Sequence, residues 1–216
     1  MTRVVFDLDG TLIDSAPDIH LSVNLMLEER GLPPLDLQTV ISFIGNGIPI
    51  LVQRVMLARE VNLAYHEEWL RGVSDYYKRV NGALTQLYPG VRESLEQLRT
   101  AGHTLALCTN KPQQLAREIV AAFDLLPLFS QIVGGDSLPQ YKPDPAMLHA
   151  CLSDRSGIFI GDSEVDAETA RRAAVPFALF RNGYRKTPID QIPHSAGFDD
   201  FHELNAIIEI LTSAPQ

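Results

Sequence analysis

Short, almost uninterrupted runs of apolar residues recur along the chain, and segments with helical spacing separate most of them. Such runs are typical of strands that are buried on both faces, and their alternation with helices predicts a parallel sheet with helices on each side. We therefore predict an α/β fold. The predicted strands are Val4–Leu8, Thr104–Thr109, Gln131–Val133, Ile158–Ile160 and Phe177–Phe180.

The stretch from residue 14 to residue 83 contains no convincing strand. Ser15 has the position of an N-cap, with Pro17 in the first turn and Asp18 three residues after the cap, and Gly31 is expected to end this helix. Further helical patterns follow at Val40–Ile44, Ile48–Leu57 and Ala64–Tyr77.

The pattern as a whole predicts two units: a core formed by residues 1–13 and 84–216, and a helical insert formed by residues 14–83. A lid that excludes water from a site at the strand ends is one use of such an insert. An appended helical bundle without a gating role is the alternative.

Polar clusters follow the predicted strands. In a parallel sheet the carboxyl ends of the strands share one edge, and ligands bind there. The clusters are Asp7-x-Asp9-Gly10-Thr11, Thr109-Asn110-Lys111-Pro112, Gly134-Gly135-Asp136 and Gly161-Asp162-Ser163-Glu164-Val165-Asp166. Lys142 lies between prolines in the loop that precedes the helix through Met147–Cys151.

Asp7 and Asp9 lie two residues apart, and two like charges that close resist joint ionisation unless a cation neutralises them or one keeps its proton. Both solutions suit chemistry on a phosphate ester, which uses a nucleophilic carboxylate, a proton donor and a magnesium ion. The alternative is a plain turn after a strand, because Asp and Gly favour turns.

The other clusters also permit two interpretations each. Thr109 and Asn110 are suited to an oxyanion cradle or to a simple helix cap. Lys142 is suited to holding a phosphoryl oxygen or to a solvated surface position. Asp162 would complete an oxygen-only cation site with Asp7 and Asp9, whereas Glu164 and Asp166 are suited to capping a helix.

Composition and charge narrow the classes of function. The 216-residue chain has a formal net charge of −9 and no basic stripe, so a nucleic-acid partner is not expected. A phosphate substrate would need positive charge at the site itself. Cys108 and Cys151 fit no zinc spacing, and Cys108 is expected to be a buried free thiol. No signal peptide or long apolar stretch is present, so we expect no membrane partner and a cytoplasmic location.

Four of these motifs, in this order, resemble those of the haloacid dehalogenase-like hydrolases. They are Asp7-x-Asp9-Gly-Thr, Thr109-Asn110, Lys142-Pro-Asp-Pro and Gly161-Asp162-Ser-x-x-Asp166. The resemblance spans essentially the whole chain and is strongest for the phosphoglycolate phosphatase branch. It implies a Rossmann-like parallel sheet core with helices on both faces and an inserted helical cap of the C1 type.

The resemblance also implies roles for the site residues. Asp7 would be the nucleophile that becomes an aspartyl phosphate, and Asp9 would be the general acid and base. Mg²⁺ would be held by the Asp7 carboxylate, the Asp9 carbonyl and Asp162, with Asp166 acting through the surrounding shell. The phosphoryl oxygens would be held by Gly10, Thr109, Asn110 and Lys142.

The substrate implied is a small phosphate ester, with 2-phosphoglycolate favoured. Asn46, Arg54 and Lys78 are the insert residues expected to meet it, although solvated helix faces are the alternative for the latter two. The second acid, Asp9, speaks against a dehalogenase. A phosphomutase, or a phosphatase for a sugar phosphate or nucleotide, stays open, as does a non-catalytic binding role. Tyr141 departs from the branch, where a charged residue is expected. A monomer or a homodimer is expected.

Overall fold

The computed structural model describes residues 1–153 and 156–213, and within these ranges the chain forms eight strands. They are β1 (Arg3–Phe6), β2 (Ile13–Asp14), β3 (Gln86–Leu87), β4 (Thr104–Cys108), β5 (Phe129–Val133), β6 (Gly157–Gly161), β7 (Phe177–Phe180) and β8 (Ala196–Phe198). Six of them form one sheet in the order β5-β4-β1-β6-β7-β8, with every neighbouring pair parallel. The predicted α/β class is confirmed.

The described residues also form nine α-helices. They are α1 (Ala16–Glu29), α2 (Leu37–Ile41), α3 (Ile48–Ala58), α4 (His66–Val80), α5 (Val91–Thr100), α6 (Gln113–Ala122), α7 (Ala146–Leu152), α8 (Glu164–Arg172) and α9 (Leu204–Ser213). None of these helices combines the length and the apolar character needed to cross a membrane.

Successive residues of a strand point to opposite sides of the sheet. Both faces therefore present apolar side chains, and helices cover both. Phe6 packs into one buried cluster together with residues of α5, α6 and α9. Its neighbour Val5 packs into a second cluster with residues of α7 and α8. Strand β1 lies at the centre of the sheet between β4 and β6, so the residues that follow it emerge between the ends of two other strands.

Helices α1 to α4 have a hydrophobic cluster of their own. Its buried members include Val23, Met26, Val52, Met56 and Trp69. The chain enters and leaves this segment through a two-stranded antiparallel ribbon formed by β2 and β3, which the sequence pattern did not predict. The division into residues 14–83 and the remainder of the chain stays a prediction.

Helix α1 begins directly after Ser15, as predicted, but the two polar side chains of its start do not cap it. The Ser15 hydroxyl donates to Asp9 at 2.6 Å instead of accepting from the helix. The Asp18 carboxylate is fully buried and accepts from Gly82 N, Leu84 N and the Thr85 hydroxyl at 2.6 to 2.8 Å. Asp18 therefore joins helix α1 to residues 82–85, where the chain leaves the helical segment.

Candidate active site

Asp7 and Asp9 lie at the carboxyl end of β1. The Asp7 amide continues the strand pairing by donating to Ile160 O at 2.8 Å, and the chain then turns at Gly10, whose φ is +86°. A Cβ atom at Gly10 would lie 2.5 Å from Asp162 Oδ2. Glycine at this position therefore permits both the turn and the close approach of the third carboxylate.

Asp7, Asp162 and Asp166 form a buried acidic cluster in which one oxygen of each lies within 4.8 Å of the others. Asp162 accepts from the Thr11 hydroxyl at 2.7 Å and from the Tyr184 amide at 2.6 Å. These bonds fix the Asp162 carboxylate at the end of β6, beside the end of β1. The strand order thus brings together acids that are more than 150 residues apart in sequence.

Asp166 is held more completely than the other two acids. Its Oδ2 accepts from the amide and the hydroxyl of Ser163 at 3.2 and 2.7 Å, which caps helix α8. Its Oδ1 accepts from Lys142 Nζ at 2.7 Å. Asp166 therefore caps the helix and also lies in the acidic cluster, and its part in binding a cation stays a prediction.

The cluster is electrostatically unfavourable without further positive charge. Burial raises the pKa of Asp7 to about 7, with the charge of Asp166 acting in the same direction and Lys142 opposing it. Burial, followed by the charges of Asp166 and Asp7, also raises the pKa of Asp162 well above its usual range. Carboxylates in this condition gain most from a cation that neutralises them.

The donor set fits a hard divalent cation. Asp7, Asp162 and Asp166 offer oxygen ligands alone, which such cations prefer. Asp7 Oδ1 is buried and accepts no aligned hydrogen bond from a described residue, although Lys142 Nζ lies 2.9 Å away. An ion here would therefore use a carboxylate oxygen that is otherwise poorly compensated.

Lys142 lies between two acids and is almost wholly buried. Its Nζ is 2.9 Å from Asp7 Oδ1 and 2.7 Å from Asp166 Oδ1. Burial alone would lower the pKa of Lys142, but the charges of Asp166 and Asp7 outweigh it and raise the pKa, so the ammonium stays charged. The structure thus places a fixed positive charge beside the first motif.

Thr109 and Asn110 follow β4, and both side chains line the cavity described below. Thr109 Oγ1 accepts from the Lys111 amide at 3.2 Å. The Asn110 side chain accepts from Lys142 N at 2.9 Å and donates at 3.0 Å both to Lys142 O and to Gly45 O. Asn110 therefore fixes the backbone at Lys142 and joins it to the helical segment. Neither residue caps helix α6, which begins later, at Gln113.

Lys111 and Tyr77 are site residues to which the sequence interpretation gave no role. Lys111 Nζ lies 3.2 Å from Asp9 Oδ1 and donates to the Tyr77 hydroxyl of helix α4. Burial would lower the pKa of Lys111, but Asp9 and Tyr77 raise it. Burial raises the pKa of Tyr77 to about 12, so the phenol is neutral. The position of Lys111 inside the second motif was the signal available in the sequence.

The three insert residues expected to meet the substrate are not among the described residues that line the cavity. Arg54 donates to Phe43 O at 2.8 Å and to Asn46 Oδ1 at 2.9 Å, so each is engaged by the other. Lys78 is exposed and pairs with Asp75 at 3.3 Å. Their substrate contacts stay predictions, and the nearby residues that do reach the cavity are Gly45 and Gly47.

A cavity of about 60 Å³ lies between the sheet edge and the helical segment. Its polar floor comes mainly from the strand ends, and its wall from the helices is mostly apolar. The floor contains Asp7, Asp9, Thr109, Asn110, Lys111 and Lys142, and the wall contains Ile19, Ser22, Ile44, Gly45, Gly47, Ile48, Leu51, Val73 and Tyr77.

The two cysteines take no part in this cavity. Cys108 and Cys151 are buried free thiols, which confirms the expectation for Cys108. The pKa of the Cys108 thiol is raised well above its usual range by its contact with Cys151 and by burial, so it is not a reactive thiolate.

Comparison with known proteins places this site in a family. The model of the family described as haloacid dehalogenase-like hydrolase matches residues 4–180. The phosphoglycolate phosphatase of Cereibacter sphaeroides is 47% identical over 216 residues, which cover 98% of this chain and 99% of that protein. The phosphoglycolate phosphatase of Rhodobacter capsulatus is 42% identical over 212 residues, with 95% and 96% covered.

The fold agrees with the sequence comparison. The solved structure of a predicted phosphoglycolate phosphatase from Haemophilus somnus matches with a TM-score of 0.91 at 34% identity, covering 96% of this chain and 98% of that one. The residues matched by the family model include Asp7, Lys142 and Asp162, and the first relative matches over nearly its whole length. The chain therefore belongs to the haloacid dehalogenase-like hydrolases.

Proposed function

We propose that this protein is a Mg²⁺-dependent phosphomonoesterase that hydrolyses 2-phosphoglycolate to glycolate and phosphate. The observation that carries the proposal is the buried cluster of Asp7, Asp162 and Asp166 with Lys142 Nζ between Asp7 and Asp166. This arrangement offers a nucleophile, a cation site and a fixed positive charge within one small volume. The choice of 2-phosphoglycolate as the substrate rests on the names of the relatives given above, which are phosphoglycolate phosphatases.

The first step transfers the phosphoryl group to the protein. An Asp7 oxygen attacks phosphorus, the bond from phosphorus to the ester oxygen breaks, and Asp9 gives its proton to that leaving oxygen. Asp9 must therefore enter this step protonated. Ser15 Oγ, 2.6 Å from Asp9 Oδ1, fixes the orientation of the acid towards the cavity.

The second step releases phosphate and restores the enzyme. Asp9, now ionised, takes a proton from a water molecule as that water attacks phosphorus, and the bond between phosphorus and Asp7 breaks. Lys111 Nζ lies 3.2 Å from Oδ1 of this carboxyl group. One carboxyl group thus serves as acid and then as base.

The phosphoryl oxygens are held by Lys142, Thr109 and the backbone around Gly10 in this proposal. Lys142 offers a buried charge, which counts for more than a solvated one because the surroundings have a low dielectric. Asn110 positions the lysine in this proposal, since its side chain is engaged with Lys142 and Gly45, and its contact with a phosphoryl oxygen stays a prediction.

The cation site of the proposal consists of Asp7, the Asp9 carbonyl and Asp162, with Asp166 behind them. Bound Mg²⁺ would neutralise charge on the nucleophile and on the phosphoryl group. Thr11 and Tyr184 hold the Asp162 carboxylate in place for this purpose.

Residues 14–83 act as a cap in this proposal. The cavity lies beneath their helices, and its wall of cap residues is mostly apolar. The contact of Asn110 with Gly45 and that of Lys111 with Tyr77 join the cap to the polar floor.

Phosphate release from a panel of esters tests the proposal. The panel contains 2-phosphoglycolate, sugar phosphates and nucleotides, each measured with Mg²⁺ and with EDTA. We expect a strong preference for 2-phosphoglycolate that EDTA abolishes. Equal rates on the other esters would contradict the substrate, and isomerised products without free phosphate would contradict hydrolysis.

A further inference from the structure

The cavity floor contains a second lysine that the phosphoryl chemistry does not require. Lys142 lies against Asp7 and Asp166 at the nucleophile, whereas Lys111 lies on the Asp9 side. Both lysines line the cavity, and no arginine or further lysine of the described residues does so. A substrate with two anionic groups needs a cation for each, because an unpaired charge next to the apolar wall would be costly.

We propose that Lys111 binds the carboxylate of the substrate and determines the preference for a phosphate ester that carries one. The inference deepens the proposed function and rests on it. Lys111 takes the place of the insert residues Arg54 and Lys78 as the positive charge that would meet the substrate, since neither of those two lines the cavity. Lys111 is a specificity residue in this account, distinct from the phosphoryl-binding Lys142.

The hydrogen-bonding state of Lys111 supports this role. An ammonium group has three N–H donors, and two of them have partners, Asp9 Oδ1 and the Tyr77 hydroxyl. Among the described residues the third N–H has no partner. The neutral phenol of Tyr77 supplies no charge, so Asp9 alone compensates the ammonium.

The charge inventory of the floor agrees with this assignment. Lys142 pairs with Asp7 and Asp166, two of the three acids of the predicted cation site, whereas Lys111 pairs with Asp9 alone. Lys111 is therefore the lysine whose charge is least committed. Tyr77 belongs to helix α4, so the cap itself holds the lysine that would receive the carboxylate.

A pair of esters separates carboxylate recognition from phosphoryl chemistry. 2-Phosphoglycolate and 2-hydroxyethyl phosphate share the phosphate and the chain length, and only the first has a carboxylate. The kcat and KM of each are measured with Mg²⁺ for the wild type, for Lys111→Met and for Arg99→Met. Arg99 is exposed at the end of α5, before the amino end of β4, so its variant removes the same charge away from the cavity.

We expect Lys111→Met to lower kcat/KM for 2-phosphoglycolate by about 100-fold more than for 2-hydroxyethyl phosphate, mostly through KM. Arg99→Met should leave both values unchanged. An equal loss for both esters would show that Lys111 only positions Asp9, and would overturn the inference. An unchanged preference would overturn it as well.

Tyr77→Phe keeps the inference testable if Lys111→Met does not fold, which circular dichroism checks. This variant retains the ammonium and removes one hydroxyl that aims it. We expect KM for 2-phosphoglycolate to rise about fivefold with kcat unchanged, and a much smaller change in KM for 2-hydroxyethyl phosphate, which lacks the carboxylate. Equal changes for both esters would contradict the assignment. A wild type without preference for 2-phosphoglycolate would instead overturn the proposed substrate, and the inference with it.

Discussion

Lys142 Nζ lies 2.7 Å from Asp166 Oδ1, and both side chains are almost completely buried. Asp166 also caps helix α8 by accepting hydrogen bonds from Ser163. Lys142, which contacts the nucleophile Asp7, is therefore held in place by the first turn of that helix. This buried ion pair shows how Lys142 is positioned. It is weak evidence that the pair stabilises the fold, because the cost of desolvating both charges cancels much of their attraction.

Removing the lysine would leave Asp7 and Asp166 buried without their cation. For Lys142→Met we expect a loss of about 3–5 kcal/mol in the free energy of unfolding of the metal-free protein, and a loss of about 10³ in kcat. Urea denaturation and initial rates of phosphate release measure the two effects. Lys78→Met, which breaks an exposed pair with Asp75, is the stability control and should have little effect. A Lys142→Met protein as stable as the wild type would contradict the pairing.

The raised pKa values of Asp7 and Asp162 predict a pH-dependent response to metal. In the folded protein Asp7 keeps its proton up to a pKa of about 7, whereas in the unfolded chain it ionises near 3.8. The folded state therefore binds more protons in this window, and its stability falls as pH rises through it. The pKa of Asp162 is raised too, which adds to the effect.

Mg²⁺ needs the ionised carboxylates and competes with those protons. We expect millimolar Mg²⁺ to raise the thermal unfolding midpoint clearly at about pH 8 and much less at about pH 5. Differential scanning calorimetry of the chelator-treated protein measures both shifts. Asp162→Asn should reduce the shift at the higher pH. A shift of the same size at both pH values would contradict the assignment of the cation site.

The Asp18 carboxylate predicts a local stability effect at the junction of the helical segment. Asp18→Asn replaces one acceptor oxygen by an amide donor, which would face either the Leu84 amide that binds Oδ1 or the Gly82 amide and Thr85 hydroxyl that bind Oδ2. We expect a loss of about 2 kcal/mol in the free energy of unfolding. We also expect faster amide hydrogen exchange at residues 82–85.

Asp36→Asn is the matched control, since Asp36 caps the exposed start of helix α2 by accepting from Thr39 N. Its effect on stability should be smaller. Unchanged exchange at residues 82–85 in Asp18→Asn would show that these bonds do not hold the returning chain.

The sheet was predictable from the sequence because its strands are buried on both faces and so are continuously apolar. This holds for β7 throughout, and for β1, β4 and β6 after their first residues, Arg3, Thr104 and Gly157. The ribbon of β2 and β3 was not predictable, because two residues per strand carry no periodicity. Helix α2 begins at Leu37, three residues before the predicted Val40, because Asp36 caps it.

The acids of the site were predictable because parallel strand ends share one edge, so motifs far apart in sequence meet there. The roles of Asn110 and Lys111 depend on partners that sequence spacing does not reveal. Asn110 binds the backbone of a residue 32 positions later, and Lys111 donates to a tyrosine 34 positions earlier. A lysine in a loop also has the composition of a solvated residue, so only the fold distinguishes a buried one.

The central claim is that Asp7 carries the phosphoryl group, and Asp7→Asn tests it most directly. Initial rates of phosphate release from 2-phosphoglycolate are measured for this variant and the wild type with saturating Mg²⁺, with circular dichroism as the check on folding. The amide is not a nucleophile, so the account predicts a folded protein whose kcat falls by about 10⁴ or more. A folded Asp7→Asn protein within tenfold of the wild-type rate would contradict it.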